Sequence, residues 1–127
     1  MNPVIYIFLN KSLQMSVGKA AAQAAHAIAM LRPTAEGAET WESSPHRTII
    51  VLEARNEQHM KNIRAYLHER QVSTTRIIDE GANEIDPHTW TALATCILDK
   101  DAEYVQKTMS TFKLYRDTIK INLEVSR

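Results

Sequence analysis

Residues 16–27 read Ser-Val-Gly-Lys-Ala-Ala-Ala-Gln-Ala-Ala-His-Ala, a run dominated by alanine. Alanine is the strongest helix former because it loses no side-chain entropy on ordering, so this run predicts a helix with Ser16 as its N-cap. In that helix Lys19, Gln23 and His26 fall within about 60° of one another and form one polar stripe on a surface of methyl groups. Two interpretations of the stripe stay open, a solvated edge on a core helix and a functional surface.

Lys19 occupies the third position of the predicted helix, where the positive end of the helix dipole disfavours a cation by about 0.3–1 kcal/mol. Exposed N–H groups, a glycine that permits close approach and an ammonium group together make an anion site. The broken local preference therefore indicates that Gly18 and Lys19 bind something negative.

Four stretches of the sequence predict strands, at 4–9, 48–52, 73–78 and 89–97. The first two are continuous and rich in β-branched residues, which is typical of central strands buried on both faces. In the last run, strict alternation places Thr91 and Leu93 on one face of the sheet and Trp90, Ala92, Ala94 and Cys96 on the other.

Helical spacing predicts further helices at 56–71 and 99–111, and the alanine helix is expected to continue to Leu31 and to stop near Pro33. Residues 34–45 predict a short helix or an ordered loop with Trp41 docked on the body of the protein. Alternating strands and helices predict a small three-layer α/β/α domain, with ligands at the carboxyl ends of the strands.

Composition sets limits on the function. The chain has 127 residues, 15 basic and 15 acidic side chains and a formal net charge of zero, so it predicts one domain, and any nucleic-acid binding must come from a local patch. Cys96 is the only cysteine, which excludes an internal disulfide and fits a reducing compartment. No apolar run approaches about 18 residues, so we expect a soluble, unsecreted protein.

The sequence lacks several common catalytic motifs. The sequence does not match the phosphate-binding motif GxxxxGK[ST], because Leu13 stands at the first glycine position and Ala20 at the hydroxyl position. A GxSxG serine elbow and a pair of histidines at helical zinc-binding spacing are also missing. Cys96 is interpreted as a small buried apolar residue, and Asp79, at the end of a predicted strand, fits either a ligand site or a turn cap.

Several separate motifs carry a family resemblance: Met15-x-x-Gly18-Lys19-x-Ala21-Ala22-Gln23-x-x-His26-Ala27, Asp79-x-Gly81, Ile85-x-Pro87, Thr91-x-Leu93 and Lys113-Leu114-Tyr115. With these motifs, residues 4–115 resemble the archaeal and eukaryotic type of peptidyl-tRNA hydrolase. The resemblance implies a mixed four-stranded sheet flanked by helices, often in a homodimer. It also implies hydrolysis of the ester that joins a peptide or an N-blocked amino acid to the tRNA 3′ end, in the cytoplasm, with no membrane contact and no metal or organic cofactor.

The resemblance assigns roles to individual residues. Lys19, Gln23 and His26 match the polar stripe of the family, and Asp79 and Thr91 match positions that orient the attacking water or the substrate carbonyl. Because its ammonium lies at a helix N-terminus, Lys19 is expected to bind the terminal phosphate or the ester oxyanion. The expected catalytic residues are Lys19, His26, Asp79 and Thr91. The expected substrate-binding residues are Gly18, Gln23, Asn83 and Lys113.

The sequence also departs from the family pattern. Asn10 and Ser12 stand where the family carries Arg and Asp, and Asn83 and Glu84 replace a threonine and a neutral amide. These changes reduce positive charge or alter hydrogen bonding around one cleft. The alternatives are a protein of the same fold that binds RNA or a protein partner without this hydrolysis, and an enzyme for another small ester or amide.

Residues 1–115 are expected to form a single domain and residues 116–127 an extension of it. Alternating apolar residues in the extension predict an edge strand or a partner-binding arm. If the end of the last helix lies near the first loop, a local basic patch is expected there. It would consist of Lys11, Lys19, Lys113, Arg116 and Lys120.

Overall fold

A computed structural model describes residues 1–31, 35–80 and 88–116 of the chain. Within these ranges the elements follow one another as β1 (Pro3–Asn10), a 3-10 turn (Lys11–Leu13), α1 (Val17–Ala29), α2 (Ala35–Ser43), β2 (Thr48–Ala54), α3 (Glu57–Glu69), β3 (Thr74–Asp79), β4 (Thr89–Thr95), β5 (Leu98–Asp99) and α4 (Glu103–Met109).

The strands form one mixed sheet in the order β2-β1-β4-β3, with the short β5 paired to the start of β1. β1 runs parallel to β2 and antiparallel to β4, which is antiparallel to β3. Two apolar clusters cover the two faces: α1 and Trp41 of α2 pack on one face, and α3 and α4 pack on the other. The predicted α/β fold with helices on both faces is confirmed, as is the docking of Trp41.

β1 is the central strand and every residue in it is buried, as its continuous apolar run predicts. The prediction of a central strand at 48–52 is wrong, because β2 lies at the edge of the sheet and leaves Ile49 45% exposed. Its outer edge is partly covered by residues 113–115: the Glu53 N–H donates to the Lys113 carbonyl at 2.9 Å, and the Tyr115 N–H donates to the Val51 carbonyl at 3.0 Å. This pairing satisfies backbone groups that an open edge would leave to solvent.

β4 departs from the predicted alternation. Ile77 of β3 pairs with Ala92, but the next residue, Ile78, pairs with Trp90, so Thr91 is an extra residue in a β-bulge. As a result Trp90 packs with Leu93 in the cluster under α3, although strict alternation predicted the two residues on opposite faces. Ala92 and Ala94 pack under α1. The bulge turns Thr91 to the α1 face.

The remaining boundaries differ by a few residues. The predicted strand 89–97 ends at Thr95, and the predicted helix from 99 begins at Glu103, because Leu98 and Asp99 form β5. The extension predicted for 116–127 lies outside the described residues apart from Arg116. No helix in the described ranges is long and apolar enough to cross a membrane.

Phe8 provides a test of the core. Its side chain is fully buried, and its ring lies edge-to-face with Phe112 at a centroid distance of 4.9 Å. Phe8→Ala removes both the buried area and this ring contact, so it should lower the free energy of unfolding by about 3–5 kcal/mol in urea titrations. Tyr104→Ala is the control, because Tyr104 is 56% exposed and its loss should cost less than about 0.5 kcal/mol. Equal losses for the two variants would contradict this packing.

Candidate active site

The N-terminus of α1 has the predicted cap. The Ser16 hydroxyl accepts a hydrogen bond from the Lys19 backbone N–H at 3.2 Å. Gly18 is exposed, and a Cβ atom added to it would meet no described atom within 4 Å. The first turn of the helix, with its dipole and free N–H groups, therefore faces open space that a ligand can enter.

Lys19 and Asp79 form an ion pair with an Nζ–Oδ1 distance of 2.8 Å. The two side chains are only 9% and 7% exposed, so water screens the pair weakly. Asp79 is the last residue of β3, and β3 runs parallel to β1 because both are antiparallel to β4. The pair thus lies at the sheet edge where the parallel strands end, as expected for ligand sites in α/β folds.

Gln23 connects this ion pair to β4. Its Nε2 donates to Asp79 Oδ1 at 3.2 Å, and its Oε1 accepts from the Thr91 hydroxyl at 2.5 Å. Gln23 is 2% exposed and Thr91 is fully buried. The hydrogen bonds therefore run from Thr91 through Gln23 to Asp79, and the bulge in β4 is what turns Thr91 toward α1.

A cleft of about 730 Å³ opens over the ion pair. His26, two turns beyond Lys19, is exposed and contributes to its wall. The lining residues are Ser16, Gly18, Lys19, Ala22, Gln23, His26, Met30, Ile78, Asp79 and Glu80. The predicted polar stripe of α1 is thus part of a cleft that it shares with Asp79.

Asn10 takes part in the structure beneath this edge, a role that the sequence pattern did not assign to it. Its Nδ2 donates to the Trp90 carbonyl at 3.1 Å, and its Oδ1 accepts from the Ser12 N–H at 3.2 Å and from the Ser12 hydroxyl at 2.6 Å. Asn10 is buried, and it ties the end of β1 to the residue before the bulge. The one feature of the sequence that could have indicated this role is the position of Asn10 directly after a predicted buried strand.

Lys113 lies outside this cleft. It lines a second, smaller cleft of about 210 Å³ with Glu53, Arg55 and His59, and the Lys11 ammonium pairs with Glu53 at 2.8 Å. Burial, and then the charge of Arg55, lower the pKa of His59. Lys11 and Lys113 therefore both lie beside Glu53, and neither lines the Lys19 cleft. Asn83, Glu84 and Lys120 lie outside the described residues.

The described residues contain no group of three or more histidine, cysteine, aspartate or glutamate side chains that could hold a metal ion. The described part of the cleft presents an ammonium, a carboxylate and an imidazole beside the first turn of α1.

Comparison with known proteins identifies the family. The model of the family described as peptidyl-tRNA hydrolase PTH2 matches residues 4–115. The chain belongs to this family. A peptidyl-tRNA hydrolase of Pyrobaculum aerophilum is 33% identical over 126 residues, which cover 91% of this chain and all of that protein. A peptidyl-tRNA hydrolase of Thermococcus onnurineus is 30% identical over 111 residues, covering 84% of this chain and 92% of the relative.

A solved structure supports the fold. A protein of unknown function from Agrobacterium tumefaciens superimposes with a TM-score of 0.53 at 18% sequence identity, covering 91% of this chain and 99% of that one. At this identity the likeness concerns the fold alone. The family membership makes this PTH2 chain a hydrolase of ester bonds, with peptidyl-tRNA hydrolysis as the activity at the level of the family.

Thr91 tests the hydrogen-bonded chain. Thr91→Val keeps the shape of the side chain but removes the donor to Gln23 Oε1, and a buried acceptor left without its partner costs about 1–3 kcal/mol. Urea unfolding should show this loss for Thr91→Val. Thr91→Ser keeps the hydroxyl and loses only a methyl group, so it should retain more of the stability. A Thr91→Val protein as stable as Thr91→Ser would refute the assigned hydrogen bond.

Proposed function

We propose that this chain hydrolyses the ester bond between a peptide, or an N-acyl amino acid, and the 3′ end of tRNA, and so releases tRNA for reuse. The observation that carries the proposal is the Lys19–Asp79 ion pair in a cleft at the N-terminus of α1. Peptidyl-tRNA is an anion with an activated ester at its end. The cleft offers one group for the negative charge and another for the attacking water.

Lys19 stabilises negative charge in the transition state. An ammonium has three N–H donors, and among the described residues only Asp79 accepts from it, which leaves donors for a substrate oxygen. The free N–H groups of α1 and its dipole favour the same charge. One well-placed donor to an ester oxyanion is typically worth about 2.7–4 kcal/mol.

Asp79 polarises the attacking water and takes its proton. The water oxygen bonds to the ester carbonyl carbon, and the carbonyl oxygen becomes the oxyanion that faces Lys19. Collapse of this intermediate breaks the bond between the carbonyl carbon and the ribose oxygen. His26, exposed on the cleft wall, gives the leaving ribose oxygen its proton. Exchange with solvent then returns a proton to His26 and removes one from Asp79.

Thr91 and Gln23 act as positioning residues in this mechanism, because both side chains are buried. The Thr91 hydroxyl occupies Gln23 Oε1, and this fixes the amide with Nε2 toward Asp79. A second donor to Asp79 Oδ1 holds the carboxylate next to Lys19. Lys113 reaches the tRNA from its own cleft, and Gly18 and Asn83 complete the set of substrate-binding residues.

The same proposal places the protein in the cytoplasm, as a homodimer. The lone cysteine, Cys96, fits a reducing compartment. The apolar side chains of Val17 and Leu114, which are well exposed in the single chain, are surface that a second copy can cover.

Cleavage of N-acyl-aminoacyl-tRNA tests the activity. Purified wild-type protein should release free tRNA in a single-turnover assay. Lys19→Ala removes the oxyanion donor and Asp79→Asn the water-activating carboxylate, so each should lower kcat/KM at least about tenfold. Lys107→Ala is the control, because Lys107 is an exposed lysine that pairs with Glu103 on α4. It should leave kcat/KM unchanged.

A folded wild-type protein without turnover would reject the proposal. Salt-sensitive RNA binding in the same preparation would then favour an RNA-binding protein of the same fold. Cleavage of a small ester with inert tRNA esters would instead favour another substrate. The Asn83→Thr variant, which restores the family residue, belongs in the same assay as a measure of what that departure costs.

A further inference from the structure

A third cleft, of about 490 Å³, is lined by α3 and by the start of β3, the strand whose other end carries Asp79. Lys61, Arg64 and His68 line it from α3, at spacings of three and four residues that place them on one side of the helix. Ser73 and Thr74 line it from the start of β3. We call Lys61, Arg64, His68 and Arg76 the basic strip.

Within residues 1–31, 35–80 and 88–116, no ion pair neutralises the lysine and arginine side chains of the basic strip. Among the described residues Lys61, Arg64 and Arg76 form no salt bridge, whereas Lys11, Lys19, Arg47, Arg70 and Lys107 each have an acidic partner within 4 Å. No acidic side chain in the described part of the chain lines the cleft. The acidic residues of α3 are Glu57, one turn before Lys61, and Glu69, whose carboxylate lies 3.9 Å from the Arg70 guanidinium. The strip is therefore a concentrated positive surface on a protein whose formal net charge is zero.

The basic strip runs toward the Lys19 cleft along the edge strand β3. Thr74, Arg76 and Ile78 point to the same face of this strand, opposite to the buried Ile77 and Asp79. Thr74 lines the basic cleft and Ile78 lines the Lys19 cleft. Arg76 lies between them, with its guanidinium 5.4 Å from the ring centre of Trp90. The path from Thr74 to Asp79 is five residues of strand, or about 17 Å.

A surface of this kind matches the backbone of a nucleic acid. Unpaired Lys and Arg side chains in a row, with two hydroxyl side chains among them, suit successive phosphate groups, and arginine binds phosphate through two parallel hydrogen bonds. A single phosphate or a small anion would occupy one site and not a row. We infer that the basic strip binds the phosphate backbone of the RNA body while the Lys19 cleft receives the 3′ end. This inference rests on the proposed function.

The salt dependence of binding tests the inference. Deacylated tRNA is titrated with the full-length protein at several salt concentrations between 50 and 200 mM, and the logarithm of affinity is plotted against that of salt. Lys61→Ala/Arg64→Ala removes two phosphate contacts, so the slope should become shallower by about 2 and the affinity at 100 mM salt should fall at least about fivefold. Arg76→Gln should change the slope by about 1.

The matched control is Lys100→Ala/Lys107→Ala, which removes the same charge from exposed positions outside the basic strip and its cleft. It should keep the wild-type slope. Circular dichroism of all variants checks their folding, and the exposed positions on α3 should leave the thermal midpoint unchanged. A slope for Lys61→Ala/Arg64→Ala equal to that of the control would overturn the inference, as would a wild-type protein that does not bind tRNA.

Kinetics separate this inference from the proposed function. The same N-acyl amino acid is esterified to whole tRNA and to a CCA trinucleotide, and the ratio of the two kcat/KM values is compared. For Lys61→Ala/Arg64→Ala the ratio of tRNA to trinucleotide should fall at least about fivefold, through KM on tRNA. An unchanged ratio contradicts the inference alone. A wild-type protein that cleaves neither ester contradicts the proposed function, while the binding slopes still decide where RNA binds.

Discussion

The Gln23 amide lies inside the protein between a hydroxyl and a carboxylate, and the rest of the site depends on this arrangement. An amide has a donor end and an acceptor end, so a buried one has a single orientation that satisfies both neighbours. The Thr91 hydroxyl donates to Oε1, so Nε2 faces Asp79, and Asp79 in turn holds the Lys19 ammonium. α1 is rich in alanine, and the small methyl side chains let the backbone of this helix lie close to the sheet.

The β-bulge at Thr91 explains why the fold was easier to predict than the site. Residues 89–95 have the composition of a strand, and the sequence predicted that strand. Side-chain alternation, however, put Thr91 on the face of Leu93, away from α1. The extra residue of the bulge turns the Thr91 side chain to the opposite face of the sheet, and no glycine or other local signal in the sequence marks the bulge. The expected role of Thr91 came from a family resemblance, and the bulge supplies the physical reason that the residue reaches α1.

Other differences have equally local causes. The polar stripe of α1 was predicted from helical spacing, but spacing does not give depth: Gln23 is buried, Lys19 is nearly so and His26 is exposed. β2 looked central because its apolar run is continuous, yet strand order depends on pairings that hydrophobicity does not encode. Of the residues expected to form a lysine patch, Lys11 and Lys113 both lie beside Glu53, and Lys11 is paired with its carboxylate. Lysine and arginine side chains without an ion pair among the described residues also lie on α3, which its pattern marks as an ordinary covering helix.

The most direct test of this account is a double-mutant cycle of Thr91→Val and Gln23→Ala, with single-turnover cleavage of N-acyl-aminoacyl-tRNA as the measurement. If Thr91 acts on the reaction only through Gln23, then Thr91→Val should lower the rate in the wild-type background and have almost no effect once Gln23 is alanine. The two losses would then fail to add. If they add in full, Thr91 acts on the substrate by another route, and the claim that the buried Gln23 amide organises the site is wrong.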